Sequence, residues 1–178
     1  MAHPASPAVH RPMPRRRSGV TTAVTIGGER FYLTANGRED GTLGEVSIRW
    51  GKQGQVQAGL LEAYAIALTV GLQHGVPLAE FVRQGLDLCF APNGRTDDPD
   101  IPRVRSVVDW VVRRLAIDWL PYRERAALGI HTPEEQVDRA AGWLAAEEAR
   151  LSAESDVPPP EAFLADLAVG IGGPAARG

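Results

Sequence analysis

The alternation of apolar and polar residues predicts three β-strands in the first third of the chain. It runs through residues 20–26, 31–35 and 46–50, and a period of two is typical of a strand with one buried face. Gly27-Gly28 has the composition of a two-residue hairpin turn, whereas the segment NGREDGTLG makes a longer link. Because the links between successive strands are short, we expect an antiparallel meander that buries one face.

The period then changes to that of a helix. Apolar residues recur at every fourth position along one stripe: Val56, Leu60, Tyr64, Leu68 and Leu72. This spacing predicts an amphipathic helix whose stripe packs on the apolar face of the sheet. The segment QHGVPL ends the helix and leads into a short one over residues 78–84.

A second long helix is predicted after the loop FAPNGRTDDPDIP. Its buried stripe consists of apolar residues at helical spacing: Ile101, Val104, Val108, Val111, Leu115 and Trp119. The loop acids Asp97, Asp98 and Asp100 resemble a paired-carboxylate site. With a helix that starts near Pro102, however, they are placed to cap its first amides and complement its dipole. We interpret them as capping residues.

The two ends of the chain differ in composition from the middle. Residues 1–18 hold four prolines and the run Arg15-Arg16-Arg17, which indicates a disordered arm that is either solvated or in contact with phosphate or an acidic partner. Near the other end, the capping box Thr132-Pro133-Glu134-Glu135 predicts the start of a helix that continues to about Ala153. The prolines at 158–160 and the segment EAFLADLAVGIGG follow it.

These elements predict an α+β fold. Residues 19–130 form its domain, a three-stranded antiparallel meander with helices packed on one face. Residues 131–178 form a C-terminal helical appendage with a mobile end.

Composition narrows the classes of function. The formal net charge of −3 provides no overall basic field for nonspecific nucleic-acid binding. Cys89 is the only cysteine, and its apolar neighbours indicate a buried packing residue rather than a nucleophile. The four histidines share no metal-ligand spacing with one another or with Cys89, so we expect no metal site. No stretch approaches the roughly 18 apolar residues of a membrane span, and we expect a cytoplasmic protein with no membrane partner.

The segment Gly51-Lys52-Gln53-Gly54 is the candidate anion-binding site. It joins the third strand to the first helix, where exposed amides and the only lysine of the chain are suited to hold an anion. It is shorter than the phosphate-loop signature GxxxxGK[ST], and a tight connection explains the same glycines without a ligand. Arg15, Arg16, Arg17 and Arg49 are further candidates for phosphate contacts. We expect no catalytic residue.

Six short motifs follow one another in the stretch from Arg15 to Ile130. They are EDGxxGE at residues 39–45, KxG at 52–54, GLxxxxAxA at 59–67, LQxGVPL at 72–78, FxPxGxTxxPxIP at 90–102 and SxxDW at 106–110. In this order and spacing they closely resemble the TSCPD domain, the C-terminal module of adenosylcobalamin-dependent (class II) ribonucleoside-diphosphate reductases.

The resemblance implies that the radical chemistry belongs to another polypeptide. In that family a large barrel domain before this module supplies the reactive cysteines, the substrate acids and the cobalamin contacts. The Cys-Pro-Asp triplet that names the module is absent here, because Cys89 is followed by Phe90 and Ala91. The chain is thus expected to be a freestanding module that binds no cofactor itself, whereas the related full-length enzymes use adenosylcobalamin.

Three functions fit these observations. The first is an accessory or regulatory protein that binds a class II reductase catalytic chain, supports deoxyribonucleotide synthesis and is inactive alone. The second is a small nucleotide- or nucleic-acid-binding module. The third is an interaction protein that has kept the fold and lost its link to the reductase.

Overall fold

The structure is a computed structural model that describes residues 10–51 and 55–155. The chain divides into two compact units, Met1–Glu134 and Glu135–Gly178. The elements follow one another as β1 (Gly19–Ile26), β2 (Glu29–Gly37), β3 (Leu43–Trp50), α1 (Val56–Gln73), α2 (Leu78–Gly85), β4 (Gly94–Arg95), β5 (Arg103–Val104), α3 (Val107–Trp119), α4 (Tyr122–Ala127) and α5 (Pro133–Ser155). The predicted α+β class is confirmed.

The sheet is the predicted antiparallel meander, with strand order β1-β2-β3. Gly27 and Gly28 join β1 to β2 with φ angles of 56° and 84°. A two-residue hairpin turn of type I′ needs positive φ at both positions, which glycine adopts without strain. Alternate side chains such as Val24, Ile26 and Leu33 are buried, whereas Val20 at the start of β1 is 64% exposed.

Helix α1 covers β3 through a face that matches only the second half of the predicted stripe. Its buried residues are Leu61, Ala65, Leu68 and Leu72. The predicted stripe is therefore wrong in its first half, where Val56 and Leu60 are 78% and 65% exposed. The reason is that α1 is apolar on almost every side, so periodicity alone does not select the buried face.

A polar contact fixes the rotation of α1 against the sheet. The Thr69 hydroxyl accepts from the Val46 amide at 2.9 Å and donates to the Val46 carbonyl at 3.1 Å. These contacts satisfy outward-facing backbone groups of the edge strand β3, which otherwise offer a template for pairing with another strand. Contrary to expectation, α1 is long and apolar enough to cross a membrane by length and composition alone, but the core helix of a soluble protein meets the same criteria.

Helix α3 forms the centre of the core. It starts at Val107, where the Ser106 side chain accepts from the Asp109 amide at 3.1 Å. The prediction of a start near Pro102 is wrong, because Ser106 is the N-cap and the preceding residues pair as β4 and β5. The helix is buried on almost all sides, and Trp110 is fully buried.

The three loop acids accept hydrogen bonds from side chains and from a strand amide, and they do not cap a helix. Their interpretation as capping residues is therefore wrong. Asp98 is 6% exposed and accepts from Trp110 Nε1 at 2.8 Å. Arg114 donates to Asp98 at 3.4 Å and to Asp100 at 2.8 Å. Asp97 instead accepts from the Thr25 amide of β1 at 2.6 Å, which lowers the pKa of Asp97. The acids thus tie the 94–104 segment to β1 and α3.

Helix α2 confirms the predicted helix over residues 78–84 and packs closely on α3. A Cβ at Gly85 would lie 2.5 Å from Val112 Cγ1, so only glycine fits at this crossing. The chain then turns at Asp87, which has a φ of 60°. Cys89 follows and is exposed, so its interpretation as a buried packing residue is wrong. Its neighbour Phe90 is 43% exposed, and apolar sequence neighbours therefore do not bury the thiol.

The described part of the N-terminal segment lies along the domain. The Arg11 amide donates to the Gln73 carbonyl at 2.8 Å, and the Arg17 guanidinium donates to Glu45 at 2.6 Å. Residues 10–17 of the arm that we expected to be disordered therefore make specific contacts, and residues 1–9 lie outside the described residues. Helix α5 matches the helix predicted from the capping box. Residues 156–178, which include the prolines at 158–160 and the segment EAFLADLAVGIGG, also lie outside the described residues.

Candidate binding site

The predicted anion-binding segment is described only at its edges. Lys52, Gln53 and Gly54 lie outside the described residues. The Gly51 amide donates to the Arg30 carbonyl at 3.1 Å and so continues the β2–β3 ladder. Gln55 is the N-cap of α1, and among the described residues its side chain makes no capping hydrogen bond. Whether this segment holds an anion stays a prediction.

The four arginines proposed as phosphate contacts do not form one cluster. Arg17 is bound through two nitrogens to the two carboxylate oxygens of Glu45, each at 2.6 Å. This pairing raises the pKa of Arg17 and lowers that of Glu45. The Arg17 guanidinium is therefore already paired with a carboxylate of the domain. Arg15 and Arg16 are exposed in the segment before β1, whereas Arg49 is exposed on β3 opposite Tyr32.

A pocket of about 730 Å³ opens beside Trp50, at the end of β3. We call it the aromatic pocket. It is lined by Gly27, Glu29, Phe31, Trp50, Gln57, Leu60, Leu61, Tyr64, Phe90, Ala91, Pro92, Asn93, Val107 and Val108. Its volume falls in the range of small-molecule sites, which are mostly apolar with a few polar groups. The sheet, α1, the 90–93 loop and the start of α3 each contribute to its walls.

Two of the rings that line the aromatic pocket stack on each other. Phe31 and Trp50 lie on neighbouring strands with ring centroids 5.9 Å apart and planes 12° from parallel. The register of β2 and β3 places them directly opposite each other, which is why they stack. Trp50 Nε1 donates to Glu29 at 3.2 Å, and this bond orients the indole.

Two further rings, those of Tyr64 and Phe90, line the aromatic pocket. Tyr64 of α1 is half-buried, and burial raises the pKa of its hydroxyl, so the hydroxyl is a neutral donor at physiological pH. Phe90 lies on the 90–93 loop, where its amide donates to the Arg105 carbonyl at 3.1 Å. This pocket was not among the sites predicted from the sequence. The sequence feature that could have indicated it is the presence of these four aromatic residues in a chain with only 6% aromatics. Only the fold, however, brings them together.

A second surface feature is the outer side of α1. Residues on this side are apolar or small and exposed: Val56, Gly59, Leu60, Ala63, Ile66, Ala67 and Val70. Ile66 and Val70 are 57% and 49% exposed. We call this side the α1 outer face.

Within residues 10–51 and 55–155, no group of three or more His, Cys, Asp or Glu side chains is placed to hold a metal ion.

Comparison with known sequences identifies the family. The model of the TSCPD domain matches residues 6–118, and the chain therefore belongs to the TSCPD domain family. The vitamin B12-dependent ribonucleotide reductases of Streptantibioticus cattleyicolor and Streptomyces coelicolor are both 48% identical to it over 128 residues. That of Agrobacterium fabrum is 38% identical over 109 residues. No solved structure matches the chain.

The match covers much of this chain but little of the relatives. The 128 matched residues are 72% of the chain, 21% of the Streptantibioticus protein and 13% of the Streptomyces coelicolor protein. The Agrobacterium match covers 61% of the chain and 9% of that relative. The similarity thus concerns one domain of much longer proteins.

The SxxDW motif has a structural role in this domain. Ser106 caps α3, and Trp110 donates to Asp98 in the core. Asp109 is 1% exposed and accepts from the Asp87 and Arg105 amides at 2.9 and 3.0 Å. The motif therefore holds α3, the turn after α2 and the 94–104 segment together.

Proposed function

We propose that this chain acts with the catalytic chain of a vitamin B12-dependent ribonucleotide reductase, as a cytoplasmic accessory protein in deoxyribonucleotide synthesis. Family membership supports the link, because the relatives that share 48% identity carry that name. Most of each relative lies outside the match, so the same domain there is accompanied by a large amount of further polypeptide. In this proposal the catalytic groups and the cobalamin belong to the partner chain.

The α1 outer face is the observation that carries the proposal. Seven apolar or small residues are exposed along a single helix, and its only charged residue, Glu62, is outside this group. Contiguous exposed apolar surface on a water-soluble domain marks a place where another surface packs. The part of a reductase chain that lies beyond the matched domain is the partner that the comparisons favour, because each relative contains both.

The small residues of this face suit it to a helix or sheet packed at short distance. Gly59, Ala63 and Ala67 recur at every fourth position and so lie in one row. Leu60 and Ile66 flank this row and are exposed, so they provide apolar area on both sides of it. A charge placed on the α1 outer face, for example at Ile66, would be desolvated in the complex without a partner, which is costly.

A binding measurement tests the proposal. The Streptomyces coelicolor reductase, with its 128 matched residues deleted, is immobilised, and the chain is passed over it. We expect saturable binding of the wild type, and at least about tenfold weaker binding of Ile66→Glu, because the new carboxylate loses its water on docking. Val137→Glu is the matched control. Like Ile66, Val137 has an exposed β-branched apolar side chain on a helix; it lies in α5 and is 67% exposed.

Two outcomes would contradict the proposal. One is that the wild-type chain does not bind either the deleted or the full-length reductase. The other is that Ile66→Glu and Val137→Glu bind as tightly as the wild type, which would show that the α1 outer face takes no part. Circular dichroism of each variant establishes that the fold is retained.

A further inference from the structure

We propose that this protein forms a symmetric dimer in which strand β1 of one copy pairs antiparallel with β1 of a second copy. The pairing uses residues 19–23, which we call the β1 edge, and it joins the two sheets into one continuous sheet. The dimer goes beyond the reductase partnership and does not depend on it. Because β1 and β3 are the opposite edges of the sheet and α1 packs on β3, dimerisation leaves the α1 outer face uncovered.

The β1 edge has backbone groups that point out of the sheet. The Thr25 amide donates to Asp97 at 2.6 Å, on the side of β1 that faces away from β2. Since the backbone groups of successive residues point to opposite sides of a strand, those of Gly19, Thr21 and Ala23 point the same way as the Thr25 amide. Within residues 10–51 and 55–155, no hydrogen bond reaches the outward amides and carbonyls of these three residues.

Other parts of the sheet edges are covered by neighbouring segments. At β3, Thr69 of α1 bonds both backbone groups of Val46. The second half of β1 is covered by residues 94–97, where Ile26 forms a bridge with Thr96. The β1 edge has no such cover among the described residues, and it is therefore available to a further strand.

The β1 edge also lacks the features that usually keep sheet edges apart. Its sequence GVTTA contains no charged residue and no proline. A second copy of the same strand placed beside it therefore meets no like charge. Val20 is 64% exposed, although it lies on the side of the strand where Val24 and Ile26 are fully buried. An apolar side chain on the core side of the sheet is thus left uncovered at this edge.

One register pairs every outward residue of the β1 edge. With the two-fold axis at Thr21, this residue pairs with its own copy, and Gly19 pairs with Ala23 of the second copy. Each pair then exchanges both of its backbone hydrogen bonds. Moving the axis by one residue places one end of the edge opposite a residue before the strand, or opposite Thr25, whose amide already donates to Asp97. The edge is thus self-complementary, as an interface around a two-fold axis requires.

The same register covers the exposed apolar side chain. Val20 lies opposite Thr22 of the second copy as a non-hydrogen-bonded pair, in which side chains approach closely. Beneath these two residues is a cavity of about 340 Å³, lined by Val20, Thr22, Leu33, Ala35, Arg114, Asp118 and Trp119. Val20 of the second copy lies beside this cavity and so loses its contact with water, which favours the dimer.

The described part of the N-terminal arm does not obstruct this pairing. The chain bends at Arg15 and Arg16, and Arg17 then binds Glu45 of β3 at 2.6 Å. Because β3 lies on the opposite side of β2 from β1, these residues lead away from the β1 edge.

Two measurements on the whole wild-type chain test the proposal. The interface is short, and small interfaces are typical of weak complexes, so sedimentation velocity should show a dimer that dissociates on dilution through the micromolar range. Hydrogen exchange followed by NMR should show that the Thr21 and Ala23 amides are protected at high concentration and lose this protection on dilution. The Thr22 amide points to β2 and should be equally protected at both concentrations.

Charge variants at the two-fold axis test the register. Thr21→Lys places two lysines opposite each other and Thr21→Glu places two glutamates, so each variant alone should dimerise at least about tenfold more weakly than the wild type. An equimolar mixture of the two should dimerise again, because a lysine then faces a glutamate. Ser47→Lys is the matched control, since Ser47 lies in the same cross-strand row as Thr21 but on β3. It should sediment as the wild type does.

Three results would overturn the proposal. The first is a wild-type chain that remains a monomer at millimolar concentration. The second is Thr21→Lys dimerising as tightly as the wild type or as Ser47→Lys. The third is a mixture of Thr21→Lys and Thr21→Glu that associates no more tightly than either variant alone.

Discussion

Replacement of Asp98 by alanine should destabilise the domain far more than the same replacement of its exposed sequence neighbour Asp97. The Asp98 side chain is 3% exposed and lies between α3 and the 94–104 segment. It accepts from Trp110 Nε1 at 2.8 Å and from the Asp100 amide at 3.0 Å, and it faces Arg114 at 3.4 Å. Asp98→Ala removes all three contacts and leaves the indole N–H of a fully buried tryptophan without its acceptor.

The magnitude follows from these contacts. A buried donor that loses its partner costs about 1–3 kcal/mol. Arg114 keeps Asp100 at 2.8 Å and Asp118 at 2.6 Å, so the loss at the guanidinium is well below the 3–5 kcal/mol of a broken buried pair. We expect a total of about 3 kcal/mol for Asp98→Ala. Asp98→Asn keeps an acceptor for the indole and should cost about 1 kcal/mol.

Urea unfolding followed by tryptophan fluorescence measures these differences. The control is Asp97→Ala, because the Asp97 side chain is 49% exposed and its loss should cost no more than about 1 kcal/mol. If Asp98→Ala and Asp97→Ala had equal free energies of unfolding, the assignment of Asp98 as a buried tie between the loop and α3 would be refuted.

Three further predictions concern packing, exposure and pH. Gly85→Ala should lower the free energy of unfolding by about 1–3 kcal/mol, because its Cβ would overlap Val112 at the α2–α3 crossing; an unchanged urea midpoint would argue against that crossing. Cys89 should react at once with a thiol reagent in the native protein, since it is exposed, and a need for denaturant would show that it is buried. The pairing of Glu45 with Arg17 lowers the pKa of Glu45 from its ordinary 4.5, so its stabilisation is present above pH 4.5 and is lost as the pH falls below that value. Glu45→Gln should therefore be less stable at pH 7, by at most about 1 kcal/mol, and the difference from wild type should shrink in acid; a difference independent of pH would contradict this.

The strands were predictable because a period of two leaves little choice. The hairpin at Gly27-Gly28 and the alternation through Val24 and Ile26 both appear in the sheet as expected. The start of α5 was equally well marked by its capping box. In each case the local sequence contains all the information that the structure uses.

The rotation of α1 and the start of α3 depended on tertiary contacts. Nearly every position of α1 is apolar or small, so its buried face is selected by the Thr69–Val46 hydrogen bonds and not by the pattern. For α3, the acids near Pro102 were a plausible cap, but Ser106 occupies that role. The buried face of α1 and the start of α3 were thus predicted wrongly because the local sequence allowed two structures, and a tertiary contact selected one of them.

The aromatic pocket could not be predicted from spacing. Its rings come from segments that are separated along the chain by up to some sixty residues, and the hairpin register and the path of the 90–93 loop bring them together.

Reductase activity in a reconstituted system tests the central claim most directly. The Streptomyces coelicolor reductase with its 128 matched residues deleted is assayed for deoxyribonucleotide formation with adenosylcobalamin and a dithiol, alone and with increasing amounts of this chain. We predict that the chain alone gives no product, since it contains a single cysteine, and that it raises the activity of the deleted reductase in a saturable manner that Ile66→Glu abolishes and Val137→Glu retains. Activity that is the same with and without saturating wild-type chain would contradict the proposed accessory function.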